Sequence, residues 1–376
     1  QGKNDFDQVC NEYDEFFNST EVACSPYSET SQEVLSAKNS FYINNELNLA
    51  ANFSRNIDDS EIFGSTTNAS FKTTRHSYSI IADAQVSPSL KTVSGIENYS
   101  EELDSSNDYQ KSKRKNNAAF SQWMLDTDVI EVQIGARYDD NDSYGSKWTR
   151  SIVLGHKLSN NWLAIASWGE AFRAPTFNDL YWPTSGNPNL DPESSESYDI
   201  TLKFQNEGSH FYATVFQNSV DNLIAWAPVI PGDYSGAWQP SNINNAKMEG
   251  VELEFAYIAN SFSLQTNYTW MEPEDTNTGK QLKNRSKQLI NINADYALSA
   301  LSFGLTISGQ DKSFADDSNT TELAGFAILD LRSTYRNSEN LKFDFAITNV
   351  LDKEYQRRNG FNEAGIAAKA GVVYSF

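Results

Sequence analysis

Apolar and polar residues alternate with period two in segment after segment of this chain. In residues 46–54, Leu47, Leu49, Ala51 and Phe53 are set against Glu46, Asn48, Asn52 and Ser54. The apolar set is Ile130, Val132, Ile134, Ala136 and Tyr138 in 129–138, and Val251, Leu253, Phe255 and Tyr257 against Glu252 and Glu254 in 251–257. Ile290, Ile292, Ala294 and Tyr296 face Asn291, Asn293 and Asp295, and Leu341, Phe343, Phe345 and Ile347 face Lys342 and Asp344. Period two places successive side chains on opposite faces of a strand, so each segment predicts a strand with one apolar and one polar face. No segment shows comparable helical periodicity. The pattern predicts seventeen strands, over 31–43, 46–56, 66–81, 88–101, 112–124, 128–139, 147–158, 161–173, 194–206, 209–219, 240–257, 261–271, 285–297, 301–311, 324–336, 341–349 and 367–376.

The connections alternate in length. Short polar turns fall near Asn44-Asn45, Ser87-Pro88, Leu125-Asp126-Thr127, Ser159-Asn160, Glu207-Gly208, Asn260, Leu298-Ser299-Ala300 and Asn337-Ser338-Glu339. Between them lie the longer segments 7–30, 57–65, 102–111, 140–146, 174–193, 220–239, 272–284, 312–323 and 350–366. A meander in which every second loop is long carries all its long loops at one end, the asymmetry of an antiparallel, up-and-down transmembrane β-barrel. A soluble sandwich or propeller does not require this alternation. Pro183, Pro188, Pro192, Pro228 and Pro231 sit in the long loops, where no ladder N–H is lost.

Composition narrows the class further. No stretch approaches the roughly 18 apolar residues of a spanning helix. Mean hydropathy is −0.56, which is compatible with barrel strands because their alternation averages out. Aromatics make up 13% of the chain. Tyr257, Tyr268, Trp270, Tyr296 and Tyr335 fall near strand ends, as in the aromatic girdles of membrane proteins. The formal charge of −21 argues against nucleic acid as a partner. It reads as a solvated acidic surface, or as acidic outer loops able to hold cations.

The two cysteines, Cys10 and Cys24, lie in one polar segment. They read as one local disulfide, contributing about 3 kcal/mol and implying an oxidising compartment, or as two free thiols. Catalytic constellations are absent: His76, His156 and His210 are scattered, and no nucleophile elbow, HExxH or phosphate-cradling loop occurs. The run Arg137 to Asp142 with Gly145 suggests a calcium loop but lacks the distal Glu, so it reads as a polar hairpin. Within the long loops, Tyr181, Trp182, Trp226, Tyr234 and Trp238 are candidates either for stacking on a ligand or for packing the loops together. At the end of the chain, Val372, Tyr374 and Phe376 share one face. They form either an ordinary edge strand or the terminal signal by which outer-membrane barrels are recognised for insertion. Seventeen strands is odd where bacterial barrels are even. Residues 1–6 read as the tail of a further strand, so the expectation is a partial barrel lacking its opening strands.

The stretch 163–198 carries a likeness to a known family. Phe172-Arg173-Ala174-Pro175, Leu180-Tyr181, Gly186-Asn187-Pro188-Asn189-Leu190 and Asp191-Pro192-Glu193 resemble the barrel of TonB-dependent outer-membrane receptors, vitamin B12 (cobalamin) transporters above all. Ile243 through Gly250-Val251-Glu252, and Asn349-Val350-Leu351-Asp352-Lys353-Glu354-Tyr355, add to it. Ala364-Gly365-Ile366 departs from the Gly-Arg pair common in the family. The resemblance implies a barrel of about 22 strands around an N-terminal plug absent here. It implies a Gram-negative outer-membrane setting among lipid and lipopolysaccharide, and import of cobalamin or an iron-siderophore energised by TonB through that plug, without covalent chemistry. It also implies that no cofactor is required beyond calcium held by acidic early loops. Asn4-Asp5-Phe6-Asp7 resembles the start of one such loop, which makes Asp7 the metal candidate. A passive pore or an adhesin-like barrel is the reading from another class.

Overall fold

The computed structural model describes residues 2–5, 9–13, 19–23, 27–64, 68–230 and 236–376, with side chains from residue 27 onward except Asn244. Among the described residues, seventeen long strands form the wall. They are β1 Tyr27–Tyr42, β2 Leu47–Phe63, β3 Ala69–Ser87, β4 Leu90–Ser105, β5 Lys113–Asp126, β6 Ile130–Asn141, β7 Gly145–Lys157 and β8 Trp162–Arg173. A single helical turn, α1 Phe177–Tyr181, follows. The wall continues with β9 Glu193–Asn206, β10 Ser209–Pro228, β11 Trp238–Ala259, β12 Phe262–Asp275, β13 Gln288–Leu298, β14 Leu301–Gln310, β15 Phe326–Arg336, β16 Leu341–Thr348 and β17 Ala367–Tyr374. With the short segments Gly2–Asp5 and Lys280–Gln281 they make one sheet of 19 strands.

Every long strand pairs antiparallel with its neighbour in sequence, from Tyr27↔Phe63 at the start to Leu341↔Tyr374 at the end. Gly2–Asp5 pairs with β1, Gly2 opposite Thr30 and Asp5 opposite Tyr27, so the first residues do join the sheet as a strand. All seventeen expected strands are present, and the short turns lie together at one end. The differences fall at the other end, where several strands outrun the apolar pattern. β2 reaches Phe63 and β10 reaches Pro228. The connection between β6 and β7 shrinks to 142–144. These extensions carry polar residues such as Asp58, Asp59 and Glu61 on both faces, so alternation gives no sign that pairing continues. The helical turn was also not expected; one turn is too short for a 3.6-residue period to register.

The registers sort the side chains into two surfaces. One carries rows of large apolar residues: Tyr78 beside Phe53, Ile80 opposite Ile96, Ile134 opposite Ile152, Val215 opposite Val251 and Phe343 opposite Val372. Many of these stay open to the outside; Ile80, Ile96, Val215 and Val372 are each more than half exposed. A monomer in water does not display such a band, but a barrel in hydrocarbon does. Tyr257, Trp270, Tyr296 and Tyr335 also stand exposed on it. Val372 and Tyr374 lie on it too, and the Tyr374 ring meets Phe376 edge-on at 5.2 Å between centroids. Among the described residues no helix is long and apolar enough to cross a membrane.

The inner surface is a hydrogen-bonded polar ladder. Asp295, Gly304 and Arg332 face one another across β13, β14 and β15. Because Gly304 has no side chain, the Arg332 guanidinium spans it and grips Asp295, with Nη2 at 2.7 Å from both carboxylate oxygens. Arg332 also donates to Thr306, Thr306 to Asn293, Asn293 to Asn291 and Asn291 to Ser308, all within 2.7–2.8 Å. At Gly95 the same economy serves packing: the Phe120 ring of the next strand covers the glycine, 2.7 Å from where a Cβ would stand.

The closing Asn349–Tyr355 stretch owes its form to one buried side chain. Asn349 has φ 50° and is 3% exposed. Its amide donates to the carbonyls of Lys353 and Ala364 and accepts from the Lys353 N–H, while its own N–H is held by Asp330 at 2.7 Å. Asp352 (φ 48°) then accepts from Ile366. Asn tolerates this left-handed backbone where most residues do not.

Candidate ligand-binding mouth

The long-loop end is organised by the 174–192 connection. It leaves β8 at Arg173 and turns at Pro175, whose carbonyl accepts from Arg114 Nη1 at 2.8 Å. Thr176 starts α1 with a capping box: its Oγ1 accepts from the Asp179 N–H, and the Asp179 carboxylate accepts from the Thr176 N–H at 2.8 Å. The turn drives Phe177, Leu180 and Tyr181 into a cluster with Leu103 and Leu190, flanked by Phe71, Tyr109 and Ile224. Leu180 is fully buried. Arg114 also lies over the Phe177 ring, 4.8 Å from its centroid, and pairs with Glu101. Tyr109 donates to Asn178 across the two loops, and burial pushes its phenol above the usual tyrosine range.

The residues after α1 bracket the next hairpin. Gly186 passes so close to the turn that a Cβ there would stand 2.6–2.7 Å from Trp182 N, Leu180 O and Tyr181 N, all of them backbone atoms. Asn187 Nδ2 donates to the Pro240 carbonyl at 3.0 Å. The Asp191 N–H donates to Asn242 Oδ1, and Asn242 Nδ2 donates back to the Asp191 carbonyl, both at 3.0 Å, and to the Asn222 carbonyl at 2.7 Å. Glu193 is 7% exposed and receives Arg173 through two nitrogens at 2.7 Å and the Ile224 N–H at 2.9 Å. The β10–β11 ladder breaks register between Val220 and Ile224, where Asn222 adopts φ 59°, so the bracket sits on a bulge that re-aims the upper arms.

The candidate aromatics separate. Tyr181 is buried in the cluster, 8% exposed. Trp182 stacks on Phe71 at 6.2 Å and meets Tyr109 edge-on at 5.7 Å, so it packs loops together. Trp226 and Trp238 stand on the upper arms, 50% and 39% exposed. Tyr234 and the metal candidate Asp7 lie outside the described residues. Of the two cysteines, Cys10 has only its backbone described, in the ribbon Val9–Tyr13, which pairs with Ser19–Ala23; Cys24 lies outside. In the 137–142 run, Asp139 is engaged by Arg137 and Asn116, and Asp142 by Lys111. Among the described residues no three His, Cys, Asp or Glu side chains are grouped to hold a metal. The sequence pointed to the 186–193 motif without roles for its members; Arg114, Asn187, Glu193 and Asn242 gain roles only once their distant partners are in place.

The model of the TonB dependent receptor-like, beta-barrel family matches residues 4–350. The chain belongs to that family. A vitamin B12 transporter of Photobacterium profundum is 29% identical over 337 residues, 89% of this chain and 56% of that protein. One from Vibrio vulnificus is 32% identical over 286 residues, 75% of this chain and 46% of its own length. A heme/hemopexin utilization protein of Haemophilus influenzae is 33% identical over 280 residues, 64% of this chain and 38% of that one. The chain thus spans about half the length of these curated relatives. Among solved structures, a siderophore receptor from Acinetobacter baumannii superposes with a TM-score of 0.76 at 17% identity, over 93% of this chain and 63% of that one. At that identity it speaks for the fold alone.

Proposed function

We propose that this receptor barrel serves in the Gram-negative outer membrane to import a corrinoid, with uptake energised by TonB. The observation that carries the reading is the 29% identity to a vitamin B12 transporter over 89% of the chain. The shape of the mouth agrees with a large ligand. Long hairpin arms and a packed loop stand above a polar inner wall, and no deep pocket sized for a small molecule is required. The work of such a protein is binding and gated passage. Equilibrium binding to the full-length receptor in detergent, with cyanocobalamin and a ferric siderophore as probes, tests it. Tight binding of cyanocobalamin is expected. Tight binding of the ferric siderophore with none of cyanocobalamin would overturn the corrinoid reading and install iron uptake in its place.

A further inference from the structure

Above the bracket, the upper arms of β10 and β11 carry a face unlike the rest of the chain. Ile224 lies opposite Asn242, Trp226 opposite Pro240, and Pro228 opposite Trp238. Residues two apart on a strand share a face. Ile224, Trp226 and Pro228 therefore stand on one side of the hairpin together with Trp238, Pro240 and Asn242. At its foot this face is continuous with the buried cluster, because Ile224 packs against it. Pro240 is fully buried, and above it the two indoles open to solvent. Diagonal neighbours of this kind have Cα atoms about 7–8 Å apart. A ligand that touches both indoles must be flat over that distance, which a lone benzene-sized ring is not and a conjugated macrocycle is.

Charge narrows the occupant. From Asn222 to Asn245 the sequence holds one charged residue, Asp233, in a chain that is 21% charged. No Lys or Arg stands in this stretch to meet an anionic iron chelate, and the net charge of −21 repels one.

We propose that Trp226 and Trp238 form a shelf on which the flat face of a macrocycle, carrying little negative charge, is stacked, and that Asn242 is the positioning residue that sets the shelf. This rests on the corrinoid reading and adds to it the subsite and its support. Asn242 is suited to the task. Its one amide fixes Asp191 through both backbone groups and Asn222 at the bulge, so it locks the arms to the 186–193 bracket while contacting no ligand itself.

The test is equilibrium binding of cyanocobalamin and of haemin to full-length receptor, wild type and variants, each checked for barrel folding by heat-modifiable gel mobility. Aromatic stacking of this kind is worth about ten-fold in affinity per ring. W226A/W238A is therefore expected to weaken cyanocobalamin binding by about 100-fold, and W226F/W238F to restore most of it. Asn242→Ala is expected to lose about ten-fold alone and nothing further in the W226A/W238A background, a non-additivity that a merely stabilising residue would not show. Folded W226A/W238A binding cyanocobalamin as wild type does would overturn the shelf while leaving the corrinoid reading intact. If wild type ignores cyanocobalamin but takes haemin through the two indoles, the corrinoid reading falls and the shelf stands. If it takes neither, both fall.

Discussion

Leu180→Ala is the most informative single change, because it asks whether the loop cluster is a separate cooperative unit. Leu180 is fully buried among Leu103, Phe177, Tyr181 and Leu190. Truncating a buried Leu to Ala costs about 2–5 kcal/mol, the larger values where the cavity cannot close. Here the cavity forms at a junction between a loop and the wall, where one side can relax, so the lower part of the range applies, about 2–3 kcal/mol. The cost falls on closing the loop, since the described members of the cluster include no residue of β12–β15. A destabilisation near 2.7 kcal/mol raises the open population about 100-fold. Hydrogen–deuterium exchange on full-length receptor in micelles reads this directly. The N–H groups of Leu180, Trp182, Gly186 and Asn187, which bond within the loop, are expected to exchange on the order of 100-fold faster. Those of Gln288–Leu298 in the wall are expected not to change. Unchanged exchange over 177–190 would show that the cluster does not hold the loop. An equal rise in both regions would show that loop and wall open as one, and the idea of a separate mouth unit would fail.

Other consequences are as specific. Arg173→Ala strands the buried Glu193 carboxylate and is expected to loosen the bracket by about 1–3 kcal/mol, a value reduced because the guanidinium is 57% exposed and screened. Glu193→Gln keeps an acceptor for the Ile224 N–H and should cost only about 1 kcal/mol, so proteolysis of the 220–240 hairpin should rank Arg173→Ala above Glu193→Gln, and the reverse order would refute the assignment. Gly304→Ala places a methyl against Arg332 and Asp295. Overpacking of this kind costs about 1–3 kcal/mol, to be read as a lower unfolding midpoint in urea with lipid, and an unchanged midpoint would mean the pair relocates freely. In the 311–325 loop, Asp316 accepts from the Thr320 and Thr321 N–H groups, and these bonds pull its carboxyl down to about 2. A depressed carboxylate contributes fully above its unfolded value of about 4 and loses that contribution as pH falls through the folded value. The Thr320 and Thr321 amide resonances should hold to below pH 3 and shift with a midpoint about 2; a midpoint near 4 would contradict the bonds.

How much of this was legible follows from what each feature depends on. The wall strands depend on a local period, and Leu253, Phe255 and Tyr257 against Glu252 and Glu254 display it in a handful of residues. The extended arms depend on pairing between partners such as Trp226 and Pro240, and nothing local marks where that ends. Burial of a loop aromatic is less local still. Tyr181 and Trp226 are similar loop aromatics in sequence, yet one is packed in the cluster with Leu103 and the other, opposite Pro240 on the arm, stays half exposed. The motif at Gly186–Glu193 stands out in the sequence by its family likeness, which assigns its members no contacts. Asn187 and Glu193 reach backbone groups of the neighbouring hairpin, and Asn242 of that hairpin reaches back to Asp191.

That choice of partner has a consequence for how cargo is selected. Asn187 bonds the Pro240 carbonyl, Asn242 bonds Asp191 and Asn222 through main-chain atoms, and Glu193 takes the Ile224 N–H. None of these bonds uses the side chain of Trp226 or Trp238. The bracket holds the arms in register whatever the tip carries, provided the backbone is kept. Side chains at the tip can therefore change without disturbing the mouth beneath. Trp226→Ala should leave exchange protection at 186–193 as it is in the wild type while altering affinity, whereas Asn242→Ala should lower both. Loss of protection at 186–193 in Trp226→Ala would mean that the indole is part of the bracket, and the division between support and recognition would not hold.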